Sequence, residues 1–181
     1  IRDRTEPDIS SSDPTQLETS AVLEGDEWVI NGRKWFTTGA ARAAYTTVMC
    51  RTEVDVPSHG AFSMIIVPTN DSGYEIVRET PVLGIEGGHY EVSYNNVRVP
   101  KENLLGPRGQ GFLIAQRRLG PGRIFHCMRW LGQAQRAFDL MCLRLHERNA
   151  FGSSLADKQL MQKFVFDSAC EIQSSRQLTL D

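Results

Sequence analysis

Residues 19–30 read TSAVLEGDEWVI, and this stretch decides how the first half of the chain folds. Two runs rich in β-branched and aromatic residues, Thr19–Leu23 and Glu27–Ile30, flank the turn-forming sequence Glu24-Gly25-Asp26, which predicts a β-hairpin. No segment with a helical period follows before residue 110, so we expect an antiparallel barrel or sandwich. A turn is predicted at Asn31-Gly32, and further strands are predicted at Thr46–Arg51, Phe62–Val67, Tyr74–Arg78 and Glu91–Val97.

After Gly111 the hydrophobic residues recur every three or four positions, which predicts a long amphipathic helix with Pro121 and Gly122 at its start. A second helix is predicted from about Ala156. The short linker Asn149–Leu155 favours an antiparallel pair of helices. The fold class is therefore α+β, with a β domain at residues 1–111 and a helical domain at residues 112–181. The predicted apolar face of the first helix comprises Ile124, Met128, Leu131, Ala134, Phe138, Met141 and Leu145.

Composition excludes several classes of protein. Lys and Arg number 20 against 22 Asp and Glu, a net charge of -2, which argues against a nucleic-acid-binding surface. No apolar run is long enough to span a membrane. The 4 cysteines form no C-x-x-C pair, which is typical of a reducing compartment. Because the chain begins at Ile1 without methionine and stops at Asp181 inside a helical pattern, we expect it to be part of a longer polypeptide.

The first two stretches that could carry chemistry lie in the β half. In Thr5–Asp13, three serines between acidic residues offer hydroxyl and backbone N–H groups to phosphate or carbonyl oxygens. Taken alone, a solvated turn explains that stretch better. In Asn31–Ala40, two aromatic residues stand beside two threonines, which suits stacking on a flat ligand with donors at its edge. A core tryptophan followed by a β-turn is an equal alternative.

The other two stretches lie in the helical half. Leu119–Arg123 would place Arg123 in the first turn of the predicted helix, where it opposes the helix dipole and needs an anionic partner. A carboxylate of the fold fills that need more readily than a ligand. Arg148 suits bidentate contact with a pyrophosphate, although the dipole favours arginine at any helix C-terminus. The histidines lack the spacing of metal ligands, so no metal site is predicted.

The order and spacing of these stretches resemble the acyl-CoA dehydrogenases. Residues 5–13 are similar to the family's T-E-P segment, with one additional residue, and residues 29–39 (VINGRKWFTTG) are similar to its V-I-N-G stretch. Residues 96–112 match the segment that closes its barrel, and residues 147–159 resemble its E-R-x-x-F-G-x-x-L-x-x-x-Q motif. The sequences of residues 5–13 and 120–128 most resemble the subfamily formed by acyl-CoA dehydrogenase family members 10 and 11. The resemblance implies an antiparallel β-barrel middle domain followed by antiparallel helices of an incomplete four-helix bundle.

The resemblance also implies roles for individual residues toward FAD and an acyl-CoA. Trp35 would pack on the isoalloxazine ring. Phe36, Thr37 and Thr38 would present hydrogen-bond donors near that ring. Ser12 would contact the FAD diphosphate or the pantetheine of the acyl-CoA. The residues implied to bind the cofactor are Thr5, Ser12, Trp35, Phe36, Thr37, Thr38, Arg148, Phe151 and Gln159; those implied to bind substrate are Ser12, Gly120, Pro121, Gly122 and Arg123.

The implied reaction is the α,β-dehydrogenation of an acyl-CoA to a trans-2-enoyl-CoA, with hydride transfer from Cβ to flavin N5. The catalytic base is a glutamate that most members carry downstream of the position of Asp181. A minority carry it at the position of Gly122, which cannot act as a base, so no catalytic residue is expected in this segment and the segment alone is expected to be inactive. Implied partners are an electron-transfer flavoprotein and further copies of the chain, in a homodimer or homotetramer.

Two alternatives stay open on the same scaffold. One is a flavin-dependent oxidase or monooxygenase, and the other is a non-catalytic fragment or scaffold protein that keeps the fold. The compartment is also open, since bacterial cytoplasm, mitochondrion and peroxisome all suit reduced cysteines.

Overall fold

The computed structural model describes residues 13–181, which form a β-sheet unit and a helical unit. The first compact unit ends at Gln116 and the second begins at Arg117. The assignment of residues 1–111 and 112–181 as separate domains stays a prediction. The strands are β1 (Ser20–Glu24), β2 (Glu27–Thr38), β3 (Tyr45–Arg51), β4 (Phe62–Pro68), β5 (Tyr74–Glu79), β6 (His89–Pro100), β7 (Asn149–Ala150) and β8 (Ser153–Ser154); the helices are α1 (Gly111–Glu147) and α2 (Gln159–Leu180).

Six strands form one sheet in the order β4-β3-β1-β2-β6-β5. The predicted hairpin is confirmed, since β1 and β2 pair antiparallel from Ser20↔Asn31 to Glu24↔Glu27. All other pairs are antiparallel except β1 with β3, which run parallel at Ser20↔Arg51. Arg51 anchors that parallel contact, because its backbone N–H donates to the Thr19 carbonyl at 2.8 Å. The predicted α+β class, with a mainly antiparallel β domain before antiparallel helices, is confirmed.

The core of the sheet unit is a single apolar cluster to which β1, β2, β3, β4 and β6 contribute inward-facing side chains, so the sheet curves around one interior. Trp28 is its largest fully buried side chain. The remaining members of the cluster are Ala21, Ile30, Ala40, Val48, Cys50, Ile65, Val67, Val92, Tyr94, Val97 and Val99.

The predicted turn at Asn31-Gly32 is wrong. Both residues lie inside β2, where the register against β6 shifts between Ile30 and Gly32. Gly32 has a φ of +146, and a Cβ atom there would come within 2.5 Å of the Thr19 hydroxyl oxygen. The glycine thus serves a close approach of two backbones in a bulged strand, a use that the sequence cannot distinguish from a turn.

The predicted start of the first long helix is also wrong. α1 begins at Gly111 and runs through Pro121, which lies inside the helix. Gly111 packs against β4 so closely that a Cβ atom would come within 2.7 Å of the Ser63 backbone. The missing N–H of Pro121 removes one helical hydrogen bond, but the continuous pattern before it, FLIAQRRL, carries the helix across that position. Arg123 is therefore well inside the helix, and the dipole argument for an anionic partner does not apply.

The helical unit is an antiparallel pair closed by a small hairpin. α1 and α2 are joined through β7 and β8, with Phe151 and Gly152 at the turn. The Ser154 hydroxyl donates to the Leu145 carbonyl at 2.9 Å and accepts from the Ala156 N–H at 3.2 Å. These bonds fix the hairpin to the end of α1. Within the described part of the chain, neither helix is long and apolar enough to cross a membrane.

Candidate functional site

The end of β2 carries an exposed aromatic ring on a strained backbone. Lys34 pairs with Val92 and Thr37 with Tyr90, so the two residues between them in β2 face one residue of β6. This is the pattern of a β-bulge, which redirects side chains next to functional sites. Phe36, the second bulged residue, has a φ of 53 and leaves 48% of its side chain exposed. For a bulky residue that conformation is an outlier that costs free energy and points to a functional constraint.

The first bulged residue, Trp35, is held from beneath by a buried carboxylate. Its indole N–H donates to Glu91, which is 2% exposed. The same carboxylate accepts from Arg78 Nε and Arg33 Nη2, each at 2.6 Å. We call Glu91, Arg33, Arg78 and Trp35 the Glu91 cluster. Because successive residues of a strand face opposite sides, Glu91 lies on the face of β6 away from the core residue Val92.

Burial of the Glu91 carboxyl raises its pKa, but hydrogen bonds from Arg78 and Trp35 and the charges of the two guanidinium groups outweigh it. The net pKa lies below the ordinary value, so the group is a stable carboxylate anion at neutral pH. Within the cluster it acts as an acceptor and a counter-ion. It is not suited to be the base that removes a substrate proton, since that task needs a pKa near the working pH.

Trp35 was predicted to pack on a flavin ring, and the structure leaves that role a prediction. The guanidinium carbon of Arg78 lies 5.3 Å from the centre of its ring, so one face of the indole is already covered. Phe36 has the freer ring of the two, being 48% exposed. The two rings meet at 5.7 Å with a tilt of 56°. Trp35 therefore supports its neighbour as well as offering a surface of its own.

The two threonines after Phe36 bring hydroxyl groups to the same strand end. Thr38 is exposed, and its hydroxyl oxygen lies 2.9 Å from His89 Nδ1 on β6. The His89 ring also meets Phe36 edge-on, with 6.3 Å between centres. Thr37 is partly exposed beside it. The structure thus places Trp35, Phe36, Thr37 and Thr38 at one strand end and adds His89.

A second group lies where α1 turns into α2. Arg148 follows the last residue of α1, and Gln159 is the first residue of α2. Both side chains are exposed. Phe151, at the tip of the hairpin, is 98% exposed with a φ of 52, and Gly152 follows with a φ of 80. Positive φ at both central residues is the type I′ turn, in which asparagine or glycine is usual and phenylalanine is not.

The predicted substrate residues lie on α1, far from that turn. Gly120, Pro121 and Arg123 are exposed, and Gly122 is partly exposed. A helix rises about 1.5 Å per residue, so Arg123 and Arg148 are separated by roughly 37 Å along α1. The structure does not bring these two arginines together. Thr5 and Ser12 lie outside the described residues, and their predicted roles stay predictions.

Sequence reasoning missed Glu91, Arg78 and His89. A signal for the first two existed, since Arg78 ends one predicted strand and Glu91 begins the next along the chain. Their meeting depends on the pairing of Arg78 with Glu91, which only the register supplies. Across residues 13–181, no cluster of three or more potential metal ligands occurs.

The end of β2 and the turn after α1, each taken by itself, offer groups that suit part of a ligand. An exposed aromatic ring beside two hydroxyl groups fits a heteroaromatic ring with hydrogen-bonding edges. The exposed guanidinium of Arg148, which makes no ion pair within residues 13–181, fits a diphosphate. FAD contains one group of each kind.

Comparisons with known proteins agree with this geometry. The family described as "Acyl-CoA dehydrogenase, middle domain" matches residues 3–97, and "Acyl-CoA dehydrogenase, C-terminal domain" matches residues 109–181. The chain belongs to the acyl-CoA dehydrogenase family of flavoprotein oxidoreductases. Within that family it is 43% identical over 183 residues to human "Acyl-CoA dehydrogenase family member 11", covering 97% of this chain and 24% of that protein. The predicted resemblance, including its subfamily, is confirmed.

Two further relatives define the extent of the match. The chain is 50% identical over 178 residues to "Probable acyl-CoA dehydrogenase FadE2" of Mycobacterium tuberculosis, covering 96% of this chain and 44% of that protein. The solved structure of butyryl-CoA dehydrogenase from Megasphaera elsdenii superimposes with a TM-score of 0.86 at 26% identity, covering 98% of this chain and 46% of that one. The chain therefore spans less than half the length of these relatives.

Proposed function

We propose that the chain supplies the flavin-binding β domain and the first two bundle helices of an enzyme that dehydrogenates acyl-CoA thioesters to trans-2-enoyl-CoA with FAD. The observation that carries the proposal is the bulged end of β2, where Phe36 is held exposed at a φ of 53 beside Thr37 and Thr38. A strained, exposed ring with adjacent hydroxyl groups is unfavourable for the fold alone. Its conformation is explained by a flat ligand that lies against it.

In this proposal the chain orients the cofactor. Phe36, with Trp35 behind it, would cover one side of the isoalloxazine ring, while Thr37 and Thr38 would donate to its edge. FAD, when bound, would supply the acceptor for the hydride that leaves the acyl chain. Gly122 has no side chain and Glu91 is a stabilised anion, so neither is suited to be the α-proton base. We propose that this carboxylate comes from outside residues 1–181.

The hairpin between α1 and α2, with the residues that flank it, would bind a second flavin. Another copy of the chain would hold most of that flavin. Arg148 would pair with its diphosphate, and Phe151 and Gln159 would contact it beside that pair. The roughly 37 Å between Arg148 and Arg123 along α1 supports this, because the first would serve one cofactor and the second the acyl thioester of another site. A homodimer or homotetramer follows from that arrangement. An electron-transfer flavoprotein is the proposed acceptor of the electrons.

The test is anaerobic reduction of the flavin in the full-length protein. We expect the purified protein to be yellow and its flavin to be bleached by an acyl-CoA in the absence of oxygen. A colourless protein, or a flavin that no acyl-CoA bleaches, would contradict the proposal. Rapid hydrogen peroxide production in air would instead identify an oxidase on the same scaffold.

A further inference from the structure

We propose that Glu91 is a positioning residue for the flavin-facing segment Phe36–Thr38, acting through Trp35 and the bulge of β2. The inference rests on the proposed function and adds to it a residue that does not touch the cofactor. It concerns how the strained segment is held in the absence of any ligand.

Glu91 lies at the one register position where both neighbouring strands are irregular. On one side, β2 has its register shift between Lys34 and Thr37. On the other side, β5 has a shift between Ile76 and Arg78, with Arg78 paired directly with Glu91. Each neighbour therefore accommodates an additional residue opposite the same point of β6. Bulges at matching positions on both sides of a central strand re-aim side chains on both edges.

The Glu91 carboxylate contacts residues of both irregular strands, β2 and β5. Arg78 from β5 and Arg33 from β2 contact different oxygens of Glu91 at 2.6 Å, and Trp35 donates to it from the bulge itself. Glu91 is 2% exposed, so its carboxylate is shielded from water while the arginines reach solvent, and charge-assisted hydrogen bonds are among the stronger ones. The indole is thereby fixed on one side of the sheet. Phe36, the next residue, follows with its φ of 53 and its ring exposed.

A purely structural ion pair would explain the same contacts, so the test must separate positioning from stability. Glu91→Gln keeps the length of the side chain and removes its charge. In the full-length protein we expect about tenfold weaker FAD binding and a 10- to 100-fold slower flavin reduction at saturating acyl-CoA, with KM within about twofold of wild type. The tryptophan fluorescence of the FAD-free protein should shift, because the acceptor of the Trp35 indole N–H loses its negative charge. Trp35→Phe identifies that part of the signal.

The matched control is Glu24→Gln. Glu24 is also a carboxylate of the sheet paired with an arginine, Arg98 at 2.8 Å, but its side chain is 53% exposed and its pairing with Glu27 carries no register shift. We expect this control to leave FAD binding and reduction unchanged. The double variant Glu91→Gln with Arg78→Gln restores the net charge of the Glu91 cluster. Recovery of wild-type FAD binding and reduction in that double variant would mean that Glu91 acts only as a counter-charge, which overturns the inference.

The outcomes are distinguishable from failure of the proposed function. A yellow wild type whose Glu91→Gln variant binds and reduces flavin normally overturns the role of Glu91 alone. A wild type without flavin overturns both. If circular dichroism shows that Glu91→Gln does not fold, Trp35→Phe decides, since it removes the bond between the bulge and Glu91 and keeps both ion pairs. A loss of about threefold in flavin reduction supports positioning, and no loss overturns it.

Discussion

Replacing Phe151 by asparagine should stabilise the fold and weaken cofactor binding. A bulky residue in the left-handed region costs roughly 1–2 kcal/mol, whereas asparagine is favoured at this position of a type I′ turn. The ring is 98% exposed, so the fold loses no packing when it is removed. We therefore expect Phe151→Asn to gain about 1 kcal/mol, which corresponds to about 2–4 °C in the melting temperature of a domain of roughly 150–250 residues.

The same substitution should weaken the binding of FAD. Burying an aromatic side chain contributes on the order of 1.5–3 kcal/mol, so loss of the ring should weaken FAD binding at least about tenfold. The assays are thermal denaturation of the FAD-free full-length protein and titration of that protein with FAD. Phe151 is thus predicted to be retained for binding at the expense of stability, as residues of functional sites often are.

The chain offers a matched control at Leu83. It occupies the first central position of an equivalent turn, with a φ of 51, Gly84 following at 76, and 97% of its side chain exposed. Leu83→Asn should stabilise by a similar amount and leave FAD binding unchanged. Equal loss of FAD in both variants, or unchanged FAD binding in Phe151→Asn, would refute the assignment of Phe151 to the cofactor.

Three further predictions concern the sheet, the helical turn and pH. Gly32→Ala should destabilise the fold by about 2–5 kcal/mol, because its Cβ would lie within 2.7 Å of the neighbouring backbone. The control Gly25→Ala has nothing within 4 Å of its Cβ and should cost about 1 kcal/mol. Urea unfolding measures both costs, and equal costs would exclude a close approach at Gly32. Arg148→Ala should weaken FAD retention about tenfold or more, whereas the control Arg144→Ala, one helical turn earlier, should leave it unchanged. Unchanged flavin content in Arg148→Ala would show that the assignment of Arg148 to the diphosphate is wrong. Because the folded-state pKa of Glu91 is below the ordinary 4.5, its stabilisation is complete above that pH and is lost as the pH falls through the lower folded value. The difference in urea midpoint between wild type and Glu91→Gln should therefore narrow in acid, and a constant difference would contradict the lowered pKa.

Local signals were sufficient for most of the strands and for the pairing of the helices. The hairpin at Glu24-Gly25-Asp26 needs only a turn between two alternating runs, and both features are local. The length of α1 could not be read in the same way. Proline usually marks the first turn of a helix, whereas Pro121 lies inside α1. The helix begins earlier, at Gly111, which packs against Ser63, a residue distant in sequence.

The sequence was sufficient to predict several residues of the candidate site, but not how they are arranged in space. An aromatic pair followed by two threonines is visible in the sequence, and the structure brings them to one strand end. The bulge that contains Trp35 and Phe36 depends on how β2 pairs with β6, and Glu91 meets its arginines only through the registers of β6 with β2 and β5. Pairing between strands far apart in sequence is not encoded in any single segment, so a buried carboxylate there was missed.

The most direct test of the central claim is a structure of the full-length protein with FAD bound. The isoalloxazine ring is predicted to lie against Phe36, with Thr37 or Thr38 donating to its edge and Glu91 still bonded to Trp35 behind it. Arg148 is predicted to contact the diphosphate of a flavin held by another copy. A flavin ring bound away from the end of β2 would contradict the account.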